Sequence, residues 1–429
     1  MKKRIFALLL AAGILSGCTG PGTPDTTQPN IPQEVTVPAE EQIEYDWMAG
    51  QSPVSGRRVG VTRRTLQGVN SDTGIYFIHH NQWTLGVTPP SPWILYMDRG
   101  SDTVIKLCGR PDCPHDTTDC NAFVDNAESM CFYNGYLYVL TNGPVMTEDG
   151  KEIFWEAKLI RMAPDGTERV ELFNFTEFIR NKGYDFAQCS FVDDICMIGA
   201  MIHETDDSTA ITSEWVETYL YELDGSMEEP QKTTFSKAPL YNYGDALIAQ
   251  GQDYSYWIVD METEEEIFLM EDPGLLVECF QNDAYYFQEG KLHRYTYETG
   301  NHEVVLETEL TGTYDMHCFS DCFMLAHSEF YSQNPDLNLY IYNWNFEPVD
   351  TVKLNYPWTK LFSVSLLVAA ETPEQIILFD EAADLPVCYI DKSELGTGNV
   401  PLHKINAPDF DNDQQLQEQL EDQEWFAQN

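Results

Sequence analysis

The chain has 429 residues, 70 of them acidic and 24 basic, for a formal net charge of −46. That balance argues against nucleic acid as a partner, since binding it needs basic surface to displace phosphate counterions. With 43% apolar and 13% aromatic residues the chain is too hydrophobic for disorder and can bury a large core.

Lys2, Lys3 and Arg4 precede an apolar run from Ile5 to Leu15, and Leu15-Ser16-Gly17-Cys18 follows. This is the layout of a secretory signal, with an apolar region too short to span a bilayer. The Leu-Ser-Gly-Cys order resembles the bacterial lipobox. The resemblance implies that residues 1–17 are removed and that Cys18 carries diacylglycerol, anchoring the protein to the extracytoplasmic face of the cell membrane. An ordinary signal peptide with an incidental Cys18 is the alternative. The acidic body is repelled by an anionic membrane surface, so the lipid must hold it there. It would attract divalent cations and cationic or neutral ligands, or simply stay soluble.

Residues 18–45 contain five prolines, many threonines and acids, and no Lys or Arg, which predicts an extended tether. Arg57, Arg58, Arg63 and Arg64 form the one basic island downstream, read as the charged flanks of a strand.

From about Gly74 a repeat emerges. Its first landmark is a tight turn between two apolar, aromatic-rich runs: Asn134-Gly135, Asp193-Asp194, Gly244-Asp245, Asn282-Asp283 and Ser320-Asp321. Each predicts a β-hairpin. A second pair of strands follows each, turning near Asp165, Asp224, Asp260 or Glu298. Two hairpins in about forty residues make four antiparallel strands, the size of a propeller blade. The expected fold is therefore all-β, a seven-bladed β-propeller of four-stranded antiparallel blades within residues 46–405. The blades fall at 74–108, 128–175, 189–235, 238–272, 276–310, 314–354 and 361–405. A strand at 59–66 is positioned to complete the last blade. Residues 406–429 read as an acidic tail; Asp409, Asp411 and Asp413 imitate a calcium loop, but Gln414 and Leu420 stand where Gly and Glu are required.

Cys131, Cys189, Cys279 and Cys318 recur at one register in separate blades, too far apart for disulfides, and read with Cys196, Cys322 and Cys388 as buried apolar residues. Cys108, Cys113, His115 and Cys120 differ, lying between blades one and two with the spacing C-x4-C-x-H-x4-C. Three thiols and an imidazole on a short polar loop suit a tetrahedral structural zinc. One or two disulfides are the rival for an exported protein. Either way the loop reads as a staple, because four protein ligands leave no open coordination position for catalysis.

The lipobox, this Cys/His module and the Tyr-rich blades together resemble uncharacterised β-propeller lipoproteins of clostridia-type bacteria, and the blade layout resembles TolB-like and YWTD-like propellers. Membership implies the propeller fold and membrane attachment but no activity. No nucleophile elbow, zinc-protease helix, P-loop or dinucleotide fingerprint is present in the sequence.

Long connections between second and third strands at 79–93, 142–156, 203–215 and 328–338 carry Trp83, Trp93, Trp155, Trp215, Phe330 and Tyr331 among acids. Aromatic faces beside carboxylates can stack sugars or hold basic peptides, so these residues are the candidate ligand-binding set. Anchoring the loops to the rim is their plainer role. His80, His203 and His327, near second-strand ends, are a further set that could meet at a metal. The expectation is a monomeric, non-enzymatic surface lipoprotein whose propeller binds a glycan, a peptide or an envelope protein, or acts as a scaffold in the envelope. A carbohydrate-active hydrolase with paired carboxylates and a purely structural envelope module are the alternatives.

Overall fold

The structure, a computed structural model, describes residues 68–80, 92–115, 117–146, 153–184, 186–192, 195–205, 211–223, 226–234, 238–243, 246–251, 255–260, 263–271, 277–280, 283–296, 299–327, 337–354, 366–380 and 385–410. Cys18, the tether, the strand expected at 59–66, Trp83, Phe330, Tyr331 and residues 411–429 lie outside them.

The described residues form seven four-stranded antiparallel sheets, each a meander of strands consecutive in sequence. Sheets one to seven span 69–106, 127–174, 186–232, 238–270, 278–307, 314–353 and 366–404. Turn chemistry sets them out. Asn134 and Gly135, both at positive φ (49° and 79°), join Tyr133 to its partner Tyr136, as two-residue hairpins require. The same two-residue separation pairs Val192 with Ile195 and Tyr243 with Ala246, and Phe319 N–H donates to the Cys322 carbonyl at 2.9 Å. The turn expected at Asn282-Asp283 is shifted back by one residue, because Phe280 pairs with Asp283. Phe280 thereby stays in the ladder and stacks on Trp344 at 3.9 Å.

Burial falls from inner to outer strands. In sheet five the second strand, Asp283–Gln288, is buried at its four central residues, whereas the fourth, Asn301–Glu307, is largely exposed. Strands covered on both faces read as unbroken apolar runs, and for that reason the second strands stand out in sequence. Side chains pack between most successive sheets. One core joins sheets seven, one and two through Phe379, Phe77, Phe132 and Leu137. Others join two to three, three to four, five to six and six to seven. The first strands of sheets four and five, Ala238–Tyr243 and Glu278–Phe280, run beside one another with Cα atoms within 8 Å.

The first and seventh sheets meet directly. Gly68 N–H donates to the Ala369 carbonyl, and Asn70 Nδ2 to the Glu371 carbonyl at 2.9 Å. On the outer edge, Asn406 forms a parallel bridge with Thr103. The segment expected to open an acidic tail is thus partly built into the fold: Phe410 is buried and Asp409 accepts from the Lys106 backbone N–H at 2.7 Å.

Two elements depart from expectation. Phe175–Asn181 is a helix between sheets two and three, capped by Asn174, with Phe175, Phe178 and Ile179 buried. The stretches 142–156 and 203–215 are largely strand rather than loop: Tyr136–Met146 pairs with Ile153–Met162 out to Met146 and Ile153, and Ile195–Thr205 pairs with Ile211–Glu222 out to Thr205 and Ile211. Both hairpins run past the ends of their flanking strands as two-stranded arms. Cys131, Cys189, Cys196, Cys318, Cys322 and Cys388 are all buried, matching their reading as small apolar residues.

Candidate metal centre

The Cys/His loop is an excursion from a single strand. Leu107 N–H donates to the Ile94 carbonyl at 2.8 Å, and Ile94 N–H donates to the Ala122 carbonyl at 2.7 Å. Val124 N–H then donates to the Pro92 carbonyl, and Phe123 bridges Trp93. Both ends of the loop are therefore held by the third strand of sheet one, Pro92–Asp98. Leu107, Ala122 and Val124 anchor it in the core.

Within the loop, local turns bring the Cys and His side chains together. Cys113 N–H donates to the Arg110 carbonyl and Cys120 N–H to the Thr117 carbonyl. His115 adopts φ +56°, a left-handed conformation in which His, Asn and Asp are enriched. The Sγ atoms of Cys108, Cys113 and Cys120 and a ring nitrogen of His115 all lie within 4.8 Å of one another. His115 Nδ1 is 3.5 Å from Cys120 Sγ. Cys120 is buried; the other three are half-buried.

The sulfurs receive donors. Arg110 Nη2 is 3.2 Å from Cys113 Sγ, and Ala122 N–H is 3.4 Å from Cys120 Sγ. Burial raises the Cys108 thiol, but the N–H groups of Arg110 and Asn121 and the Arg110 guanidinium outweigh it and bring it down to about 6. Burial pushes Cys120 up to about 12. The Cys108 thiolate is thus favoured, and a bound cation must displace the proton that burial holds on Cys120.

A surrounding shell fixes the loop. Arg169, at the start of the fourth strand in sheet two, donates to the carbonyls of Phe123 (2.6 Å), Asn121 and Gly166. Gly166, in the Ala163–Thr167 turn of sheet two, lets that turn abut the loop: a Cβ there would stand 2.8 Å from the Asn121 carbonyl and 3.2 Å from that of Leu107. Lys106 Nζ donates to the His115 carbonyl at 2.8 Å. Sequence reasoning missed Lys106, Arg169 and Gly166; only Arg110, inside the motif itself, carried a local signal.

The aromatic set scatters. Trp93 is not a loop residue: it lies in the third strand of sheet one, is 8% exposed, meets Phe123 edge-on at 5.6 Å and has Lys106 Nζ 4.3 Å above its ring. Burial makes it a wall of the Cys/His module. Trp155 and Trp215 are strand residues in the two arms, opposite Pro144 and Met201. Of the three histidines, His327 lies edge-on to Tyr314 at 5.2 Å, whereas His80 and His203 occupy strands Gly74–His80 and Ile195–Thr205. Among the described residues, Cys108, Cys113, His115 and Cys120 form the one cluster of three or more side chains able to hold a metal.

No family model matches the chain, and no curated protein matches it either. Among solved structures it resembles a candidate 6-phosphogluconolactonase of Bacteroides fragilis, at 10% identity and a TM-score of 0.41, over 78% of this chain and 96% of that one. It also resembles the β-propeller domain of the Trilobed protease of Pyrococcus furiosus, at 10% identity and TM-score 0.33, over 67% and 96%. An acylaminoacyl peptidase of Pyrococcus horikoshii matches at 13% identity and TM-score 0.37, over 66% of this chain but 43% of its own, so the chain spans under half of that enzyme's length.

Proposed function

We propose that the protein is a lipid-anchored, seven-bladed β-propeller that binds or scaffolds a glycan, peptide or protein ligand outside the bacterial membrane, without catalysis of its own. The observation that carries the ring is the contact of each sheet with the next and of the seventh with the first, through the Gly68–Ala369 and Asn70–Glu371 hydrogen bonds. The two neighbouring arms, which project past sheets two and three with Trp155 and Trp215 on them, are the place to look for the ligand. Glycan and peptide arrays probed with the full chain in detergent test this. Specific binding that is lost when Trp155 and Trp215 are both replaced by Ala supports it; no specific ligand, or turnover of an array glycan, overturns it. Anchoring is tested by fatty-acid labelling, which Cys18→Ser should abolish.

The Cys3His group reads as a structural zinc centre. Metal–sulfur bonds of about 2.3 Å and metal–nitrogen bonds of about 2.0 Å place tetrahedral ligand atoms roughly 3.5 to 3.8 Å apart, and the four atoms of this cluster already lie within 4.8 Å of one another. Donors directed at the sulfurs favour thiolates, the form a soft metal needs. A disulfide would use two of the three thiols and leave His115 idle. Elemental analysis with thiol counting decides: about one zinc per chain supports the centre, and a metal-free protein bridged at Cys108, Cys113 or Cys120 overturns it.

A further inference from the structure

Lys106 touches two things that are far apart in sequence. It ends the fourth strand of sheet one, Val104–Lys106. Its ammonium donates to the carbonyl of His115 at 2.8 Å and stands 4.3 Å from the Trp93 ring centre and 5.0 Å from that of Phe410. Its backbone N–H donates to Asp409 Oδ2 at 2.7 Å.

Phe410 and Asp409 belong to the segment 405–410, which leaves the last strand of sheet seven, His403–Lys404, and lies along the outer edge of sheet one. Asn406 N–H donates to the Asp102 carbonyl at 2.7 Å and its carbonyl accepts from Val104 N–H at 2.9 Å. Ile405 and Phe410 are buried in the core that also holds Leu107, Cys120, Ala122 and Val124. Phe410 also meets the His79 ring edge-on at 4.8 Å.

We propose that loading the Cys3His centre with metal and docking segment 405–410 onto sheet one are coupled through Lys106, so that the metal governs the outer closure of sheet seven on sheet one. The proposal rests on the zinc reading above and goes beyond it by giving that centre a control function. The warrant is geometric. A metal fixes His115, and with it the carbonyl that holds the Lys106 ammonium. Fixed there, the ammonium lies against the ring of Phe410, a cation–π arrangement that strengthens as water is excluded. Without the metal the His115 carbonyl is no longer held in place, and its bond to the ammonium that lies against the Phe410 ring weakens. The strand edge held by Asp409 and Asn406 loosens with it. Coupling of two binding events is reciprocal, so docking of the segment must tighten metal binding by the same factor.

The test uses the full chain. Zinc affinity is measured by competition with a chromophoric chelator, and amide hydrogen exchange is followed at Val104, Lys106 and Asn406 with and without zinc. The expected result is faster exchange at all three amides once zinc is removed. Phe410→Ala should bind zinc about tenfold more weakly, within the usual span of such couplings. Should Phe410→Ala fail to fold, Asp409→Asn serves in its place. Lys106→Met should still take up one zinc, but exchange at Asn406 should no longer respond to it. Stoichiometric zinc with unchanged exchange at Val104 and Asn406 overturns the coupling and leaves the zinc reading standing. A chain that takes up no zinc overturns both.

Discussion

At the scale of single residues, the sharpest expectations concern positions where backbone or charge has one acceptable solution. Gly166 (φ +80°) and Gly135 (φ +79°) share a left-handed backbone, yet a Cβ on Gly135 meets nothing within 4 Å, whereas one on Gly166 strikes the Asn121 carbonyl at 2.8 Å. Gly135→Ala should cost about 1–2 kcal/mol, the ordinary penalty for that conformation. Gly166→Ala should cost more and also weaken zinc binding, measurable by thermal melts and chelator competition. Equal effects of the two changes would show that the turn of sheet two does not hold the loop. A second expectation concerns His293, stacked on Tyr286 at 4.5 Å with its Nδ1 3.2 Å from His302 Nε2. Burial, His302 and Lys291 hold its pKa below the usual imidazole value. The unfolded chain then binds more protons than the folded one, so stability is fully present above about pH 6.5 and falls as pH drops below it. His302→Gln should flatten that decline in melts taken across pH. At this scale the cluster of Cys108, Cys113, His115 and Cys120, side chains that could hold a metal, was legible because donor chemistry is intrinsic to the residue and the spacing is short. Trp93 was misread because burial is a property of its neighbours.

At the scale of elements, hairpins were read where turn residues and apolar runs coincide, and the helix Phe175–Asn181 was not. Its signal was nonetheless present. Asn174 accepts from Glu177 N–H at 3.0 Å, an N-cap followed three residues on by an acid, and Phe175, Phe178 and Ile179 follow helical spacing. The strand rhythm on either side masked it. Asn174→Ala should cost about 1 kcal/mol. The stronger element-level device joins sheets six and seven. Lys392, whose side chain is 6% exposed, pairs with Glu371 and with Asp321 at 2.9 Å, and Glu371 also accepts from the Ser320 backbone N–H (3.0 Å) and hydroxyl (2.6 Å). Removing one partner strands a buried charge. Lys392→Met should therefore destabilise by about 3–5 kcal/mol, and adding Glu371→Leu should recover much of the loss. A double variant no more stable than Lys392→Met would sink this account.

At the scale of the whole molecule, the net charge of −46 works against compactness through self-repulsion. Raising salt from about 0.01 M to about 1 M shortens the screening length from roughly 30 to 3 Å, so the melting temperature should rise over that range. A flat or falling profile would mean that close ion pairs outweigh the long-range repulsion.

The repeat, the positions of most hairpin turns and the Cys/His cluster follow from the sequence alone, because period-two apolar runs, turn residues and ligand spacing are written over a few neighbouring positions. Other features required the tertiary structure. The bond from Lys106 to Asp409 spans 303 positions, Arg169 reaches Phe123 across 46, and Asn70 reaches Glu371 across 301. No local pattern encodes such partners. The contact of the first sheet with the seventh, the shell around the Cys/His cluster and the burial of Trp93 exist only once the sheets have packed, since each depends on which distant surfaces exclude water together.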